Sequence, residues 1–291
     1  MSWRTIIISS RSKLDLKMGY MIVRDEETKR VFLDEISVLI IENPSVSLTG
    51  CLLEELIAKK IKVIFCDSKH TPYAEITPYH GSYDCSKKIK QQIAWSDIAK
   101  GVVWSELVAQ KIKKQSELLI MANKNKEADM LKEYISQIEY YDESNREGHA
   151  AKVYFNALFG MEFSRSNNEI ITNAALNYGY SIILSAFNRE ITAAGYLTQL
   201  GIFHDNIYNH YNLSCDLMEP YRILIDKKVY LANYQQFDAK EKHMLVNTLN
   251  DLVTIDGTRQ TVLNAIRIYI RSVFASLNNA DTSLISNYSL T

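Results

Sequence analysis

Residues 86–131 read SKKIKQQIAWSDIAKGVVWSELVAQKIKKQSELLIMANKNKEADML. Apolar positions recur three and four apart, at Ile93, Leu107, Ile112, residues 118–121 and Leu131, which is the period of a helix that buries one face. The spacing predicts helix across this span. The four prolines fall at 44, 72, 78 and 220, leaving a long middle stretch without a helix breaker. A second long helix is therefore expected at about residues 168–194, carrying NAALNYGYSIIL (173–184) and interrupted beyond its end by Gly195 and Gly201.

Upstream the pattern changes. TIIIS (5–9), YMIVR (20–24), VFLDEISVLIIE (31–42) and KVIFCD (62–67) are rich in β-branched residues and read as strands. Residues 49–60 read as one short helix feeding the last of them. The expected fold is α+β, with a small N-terminal β-rich domain (residues 1–85) followed by a larger all-helical domain (residues 86–291). The polar tail from Ser276, SLNNADTSLISNYSLT, reads as a loose end.

The chain of 291 residues is 47% hydrophobic and 23% charged, which excludes disordered and collagen-like classes. Its net charge of −1 means that any nucleic-acid site is a local patch. Between residues 86 and 132 ten lysines face five acids, and Lys111, Lys113 and Lys114 are the candidates for DNA phosphate contacts. A plain solvated helix face is the other reading of that run. Four cysteines without a CxxC pair point to a reducing interior. With no signal-peptide core and no run of 18 apolar residues, a cytoplasmic setting without a membrane is expected. GxGxxG, GxxxxGK[ST], GxSxG and HExxH are all missing, and six histidines without CxxC speak against structural zinc.

Chemistry is concentrated in the C-terminal half. Glu147 lies in SNREGHAAKVYFNALFG beside small residues one turn on, although Ser144-x-x-Glu147 equally fits a capping box. His204, in YLTQLGIFHDNIYNHYN, follows the glycine bend and is either a cleft residue or a hydrogen-bonded, half-buried one. Asp216, Glu219 and Arg222 in LSCDLMEPYRILID recur every three residues, so Glu219 and Arg222 also suit a simple ion pair. Should Glu147, His204 and Glu219 converge, two oxygen donors and one imidazole would favour Mg²⁺ or Mn²⁺ and phosphoryl transfer.

In their order and spacing, NREGHAAKVYF (145–155), NAALNYGYSIIL, LGIFHDN (200–206) and LSCDLMEPYRILID (213–226) resemble the CRISPR-associated integrase family that inserts new spacers during adaptation, and its type II-A branch most of all. The resemblance spans essentially the whole chain. It implies a divalent-metal-dependent DNA integrase or endonuclease whose metal ligands are Glu147, His204 and Glu219. Asp216 or Asn206 would orient a ligand or water from behind, and Tyr178, Tyr180 and Arg222 would shape the cleft or touch phosphate. MEPYR stands where other branches carry an acidic and aromatic pair followed by Arg-Pro. The implied assembly on double-stranded DNA is a homodimer, bridged by a small ferredoxin-like partner into a heterohexamer-type complex. A ring-forming adaptation protein and an RNA-guided effector nuclease complete the set of partners, in the bacterial cytoplasm. Two other readings remain: a structure-selective metal-dependent nuclease, and a non-catalytic DNA-binding scaffold whose acids are caps and ion pairs.

Overall fold

The computed structural model describes residues 4–68, 70, 72–76, 78, 82–167 and 170–290. The chain divides into two compact units, residues 1–81 with Leu249–Asp251 and the remainder. The division falls four residues before the expected one, because helix α2 (Cys85–Ile93) already belongs to the second unit.

In the first unit β1 (Arg4–Ile8), β2 (Lys13–Lys17), β3 (Tyr20–Arg24), β4 (Thr28–Phe32), β5 (Ile36–Ile41), β6 (Ser47–Leu48), β7 (Lys62–Cys66) and β8 (Pro72–Glu75) form two four-stranded sheets. Their orders are β4-β3-β2-β6 and β1-β5-β7-β8. Strand β5, ISVLII, is buried at every position because it lies between the parallel neighbours β1 and β7, the environment that selects a nearly continuous apolar run, and its one polar residue, Ser37, donates to the Arg4 carbonyl. Helix α1 (Gly50–Ala58) buries Leu52 and Leu56, four residues apart, in the core formed by Leu14, Met21, Leu39 and Val63. The stretch 31–42, expected as one strand, is two. A 3-10 turn at Leu33–Glu35 takes the chain from one sheet to the other, held where the Leu33 amide donates to the Gly19 carbonyl.

The second unit is built around α3 (Asp97–Met121), which starts where the Ser96 hydroxyl accepts from the Ala99 amide. With it go α4 (Asn125–Ser136), α5 (Arg146–Phe159), α6 (Ile171–Ala193), α7 (Asn212–Met218), α8 (Arg222–Ala232), α9 (Ala239–Val246) and α10 (Val262–Asn279). The first residues of the long helix expected at 168–194 lie outside the described residues; from Ile171 the expectation holds. Helices α6 and α8 approach closely because Gly179 has no Cβ, which would stand 2.4 Å from the Ile225 side chain.

This unit is not all-helical. Strands β9 (Leu252–Ile255), β10 (Thr258–Thr261) and β11 (Tyr288–Leu290) form an antiparallel sheet in the order β10-β9-β11. The supposed loose tail supplies β11. Its polar text conceals Ile285 and Tyr288, both buried, and the Tyr288 hydroxyl donates to the Pro220 carbonyl at 2.9 Å. The α+β class stands, and no helix among the described residues is long and apolar enough to cross a membrane.

Candidate active site

Helices α3, α5 and α6, the loop carrying His204 and the stretch from Glu219 to Asp226 are among the segments of the second unit that line one cavity of about 300 Å³. Glu147 reaches it from the first turn of α5. Asn145 caps that helix in a left-handed conformation, accepting from the Gly148 amide, while the Asp142 carboxylate accepts from the amides of Arg146 and Glu147. The alternative reading of Ser144 and Glu147 as a capping box is not met: Ser144 instead donates to the Gln137 carbonyl at 3.3 Å, so the Glu147 carboxylate is not committed to the helix start.

His204 sits on the loop between α6 and α7, and one buried carboxylate holds that loop. Asp216 accepts from the amides of Ile202 (2.7 Å), Phe203 (3.1 Å) and His204 (3.1 Å), and bonds His204 Nδ1 at 2.5 Å. A Cβ on Gly201 would lie 2.8 Å from the Asp216 carboxylate, so only glycine lets the loop wrap this tightly. Trp104 of α3 stacks on Phe203, centroids 4.3 Å apart, and meets the His204 ring edge-on. Asp216 raises the His204 pKa above the ordinary value, against the opposing effect of burial. With the proton on Nδ1 in the neutral ring, Nε2 keeps its lone pair, the arrangement common behind metal-binding imidazoles.

Glu219 opens the 3-10 turn Glu219–Tyr221, where Pro220 ends α7. It is 4% exposed. Arg222 Nε and a terminal nitrogen both reach its Oε1 at 3.0 Å, and Lys111 Nζ lies 2.6 Å from Oε2. Burial alone would raise this carboxyl, but Arg222 and Lys111 outweigh it and hold the group well below the usual carboxylate range. The pair foreseen between Glu219 and Arg222 is thus real but not a surface one, and it engages Arg222 through Nε and one terminal nitrogen. Arg222 also lies over the Tyr180 ring, 4.7 Å from its centroid.

The basic trio of α3 separates. Lys111 is drawn into the cavity, its side chain 11% exposed, where it pairs with Glu147 and Glu219 together. Lys114 is buried against Glu117 and the Tyr288 ring; Lys113 is exposed. Neither Lys111 nor Lys114 stands on an outer phosphate-binding face. The pattern offered a signal for Lys111, since Trp104, Val108, Gln115 and Leu118 at −7, −3, +4 and +7 are all buried and it lies on their stripe.

Asn206 does not support the site. It is exposed, and its side chain accepts from the Tyr208 amide in its own loop. Tyr178 packs on Phe237 in the core, 5.7 Å between centroids, whereas Tyr180 lines the cavity. The residue that sequence reasoning passed over is Asp226. This buried acid accepts from the Tyr154 hydroxyl at 2.9 Å and from that of Tyr180. Burial pushes its pKa up to about 6, although both phenols and the nearby arginines work against the rise.

The carboxylates and imidazole suit a hard divalent cation, and Glu219 Oε2 is buried without a well-aligned hydrogen bond despite its closeness to Lys111. Among the described residues no three such side chains are already gathered as an ion site. The Lys111 ammonium fills the gap between the two glutamates.

The fold is shared with solved structures. One, of a casposase bound to integration product, gives a TM-score of 0.76 at 18% identity, covering 97% of this chain and 92% of that one. Another, of a Cas6-RT-Cas1–Cas2 complex, gives 0.73 at 16% identity, covering 97% of this chain and 36% of a much longer one. The sequence is more specific: a family model described as CRISPR associated protein Cas1 matches residues 5–267. The chain belongs to the Cas1 family. A CRISPR-associated endonuclease Cas1 of Neisseria meningitidis serogroup C (strain 8013) is 32% identical over 286 residues, covering 96% of this chain and 93% of its own length.

Proposed function

We infer that the protein is a divalent-metal-dependent DNA integrase of CRISPR adaptation, joining the 3′ hydroxyl of a short DNA fragment to a phosphodiester of the repeat. One observation carries the reading: in a chain of this family, Glu147, His204 and Glu219 arrive from three separate segments at one cavity. These three would hold Mg²⁺ or Mn²⁺. When bound, such an ion neutralises a phosphodiester oxygen and eases departure of the leaving 3′ oxygen. Asp216 fixes the His204 ring and its tautomer. Arg222 keeps Glu219 ionised and oriented. Transesterification exchanges one phosphodiester for another, so the residues need no high-energy cofactor.

The Neisseria relative, named an endonuclease, supports cutting activity, and the type II-A assignment rests on the sequence motifs alone. The casposase neighbour, bound to integration product, favours joining, and the Cas1–Cas2 complex favours a Cas2-type partner; on this reading that partner is small and ferredoxin-like and bridges homodimers on double-stranded DNA. A ring-forming adaptation protein and an effector nuclease are further partners on this reading.

The test is incubation of the protein with a short duplex and a repeat-bearing supercoiled plasmid in Mn²⁺, with and without the partner, against EDTA and His204→Ala controls. Joined product that requires both metal and His204 is expected. Cut but unjoined DNA would favour the nuclease, and wild-type behaviour of the variant would favour a scaffold.

A further inference from the structure

We propose that Lys111 is an internal counter-ion that closes the Glu147–Glu219 gap and competes with the divalent cation for it. The inference rests on the metal reading above and goes beyond it. A lysine on the apolar stripe of a 25-residue helix is a costly placement. Here the cost is offset because both carboxylates meet the same ammonium. The remaining bonds of the two glutamates differ. Arg222 occupies Oε1 of Glu219 and leaves Oε2 to Lys111 alone, while the Glu147 carboxylate bonds only the Lys111 amine among its described hydrogen-bond partners. One ammonium thus stands where a cation would meet both acids. It is tethered to α3 by a flexible four-carbon stem and can withdraw without disturbing the helix. Without metal, Lys111 prevents the buried Glu219 and the half-buried Glu147 carboxylates from repelling each other; with metal, that charge becomes surplus and must leave the gap. The protein therefore stays assembled without metal and binds it more weakly than its donor set alone would.

The experiment measures Mn²⁺ affinity by the loss of the free-ion paramagnetic resonance signal, in full-length wild type, Lys111→Met and Lys111→Gln. Glu147→Gln serves as the control that locates the ion. Each variant is also melted in EDTA and in Mn²⁺. The expected result is at least tenfold tighter Mn²⁺ binding by the Lys111 variants, with a lower melting temperature in EDTA that Mn²⁺ restores. Wild-type protein is also labelled with an amine acetylating reagent and mapped by mass spectrometry, a readout that needs no variant to fold. Lys111 should be protected in EDTA and should acetylate faster in Mn²⁺. Equal or weaker Mn²⁺ binding by a folded variant, or Lys111 labelling indifferent to Mn²⁺, overturns the proposal and leaves the metal reading standing. No Mn²⁺ binding by the wild type or any variant overturns both.

Discussion

Glu219 and Asp226 lie seven residues apart on one segment, line the same cavity and are both nearly inaccessible to solvent. Their ionisation nevertheless diverges. Glu219 faces an arginine and a lysine and is held ionised, while Asp226 faces two phenols and is pushed up to about 6. Burial acts in the same direction on both, so the neighbour decides: a cation repays the loss of water, whereas a hydroxyl repays only part of it. One wall of the cavity is consequently a permanent anion, and the other is a carboxyl that changes form near neutrality.

Arg222→Met is the severest way to break this contrast, because it leaves Glu219 buried with Lys111 as its remaining cation. A loss of about 3–5 kcal/mol in denaturant unfolding is expected; a loss below 1 kcal/mol would show Lys111 to be sufficient. On the opposite wall, Asp226→Asn removes a group whose folded pKa is raised. Such a group lends stability below its unfolded pKa and loses it as pH rises through the folded value. Between pH 4 and 7 the variant should gain on wild type by up to about 3 kcal/mol, read from melting curves across that window. Parallel curves would mean that Asp226 does not titrate there.

Asp216→Asn sharpens the comparison at a third acid, which serves backbone amides and a ring rather than a full charge. Mn²⁺ binding should weaken about 10–100-fold with DNA binding retained, as a binding titration would reveal. Lys113→Glu is the smallest change. It touches neither wall, and should alter the slope of DNA affinity against salt by about one while leaving the melting temperature in place.

What the sequence disclosed follows the reach of each signal. The 3.6-residue period of α3 and α6 and the β-branched text of β3 and β7 are local, and both were legible. The break at Leu33–Glu35 was not, since it contains neither glycine nor proline and arises from where the two sheets need the chain. At the site, Glu147, His204, Asp216 and Glu219 stood out as chemistry-bearing residues beside helix signals. Lys111 was picked out with Lys113 and Lys114 as a phosphate contact, and its place between the two glutamates shows only when the buried stripe of α3 is traced through it. Asp226 gave no sign because its tyrosines come from α5 and α6, 72 and 46 residues away.

The hydrogen bond from Tyr288 to the Pro220 carbonyl bears on how the protein is made. Pro220 adjoins Glu219, and its partner comes 68 residues later in the chain. A ribosome adding roughly 5–20 residues per second therefore leaves this corner unfinished for several seconds after Glu219 itself has been added. The helices can assemble in that interval, but the glutamate turn gains its backing only when β11 arrives. A chain broken off before that point would carry all three proposed metal ligands but would hold Glu219 on an unsupported turn, so the site is finished only after Tyr288 has been added.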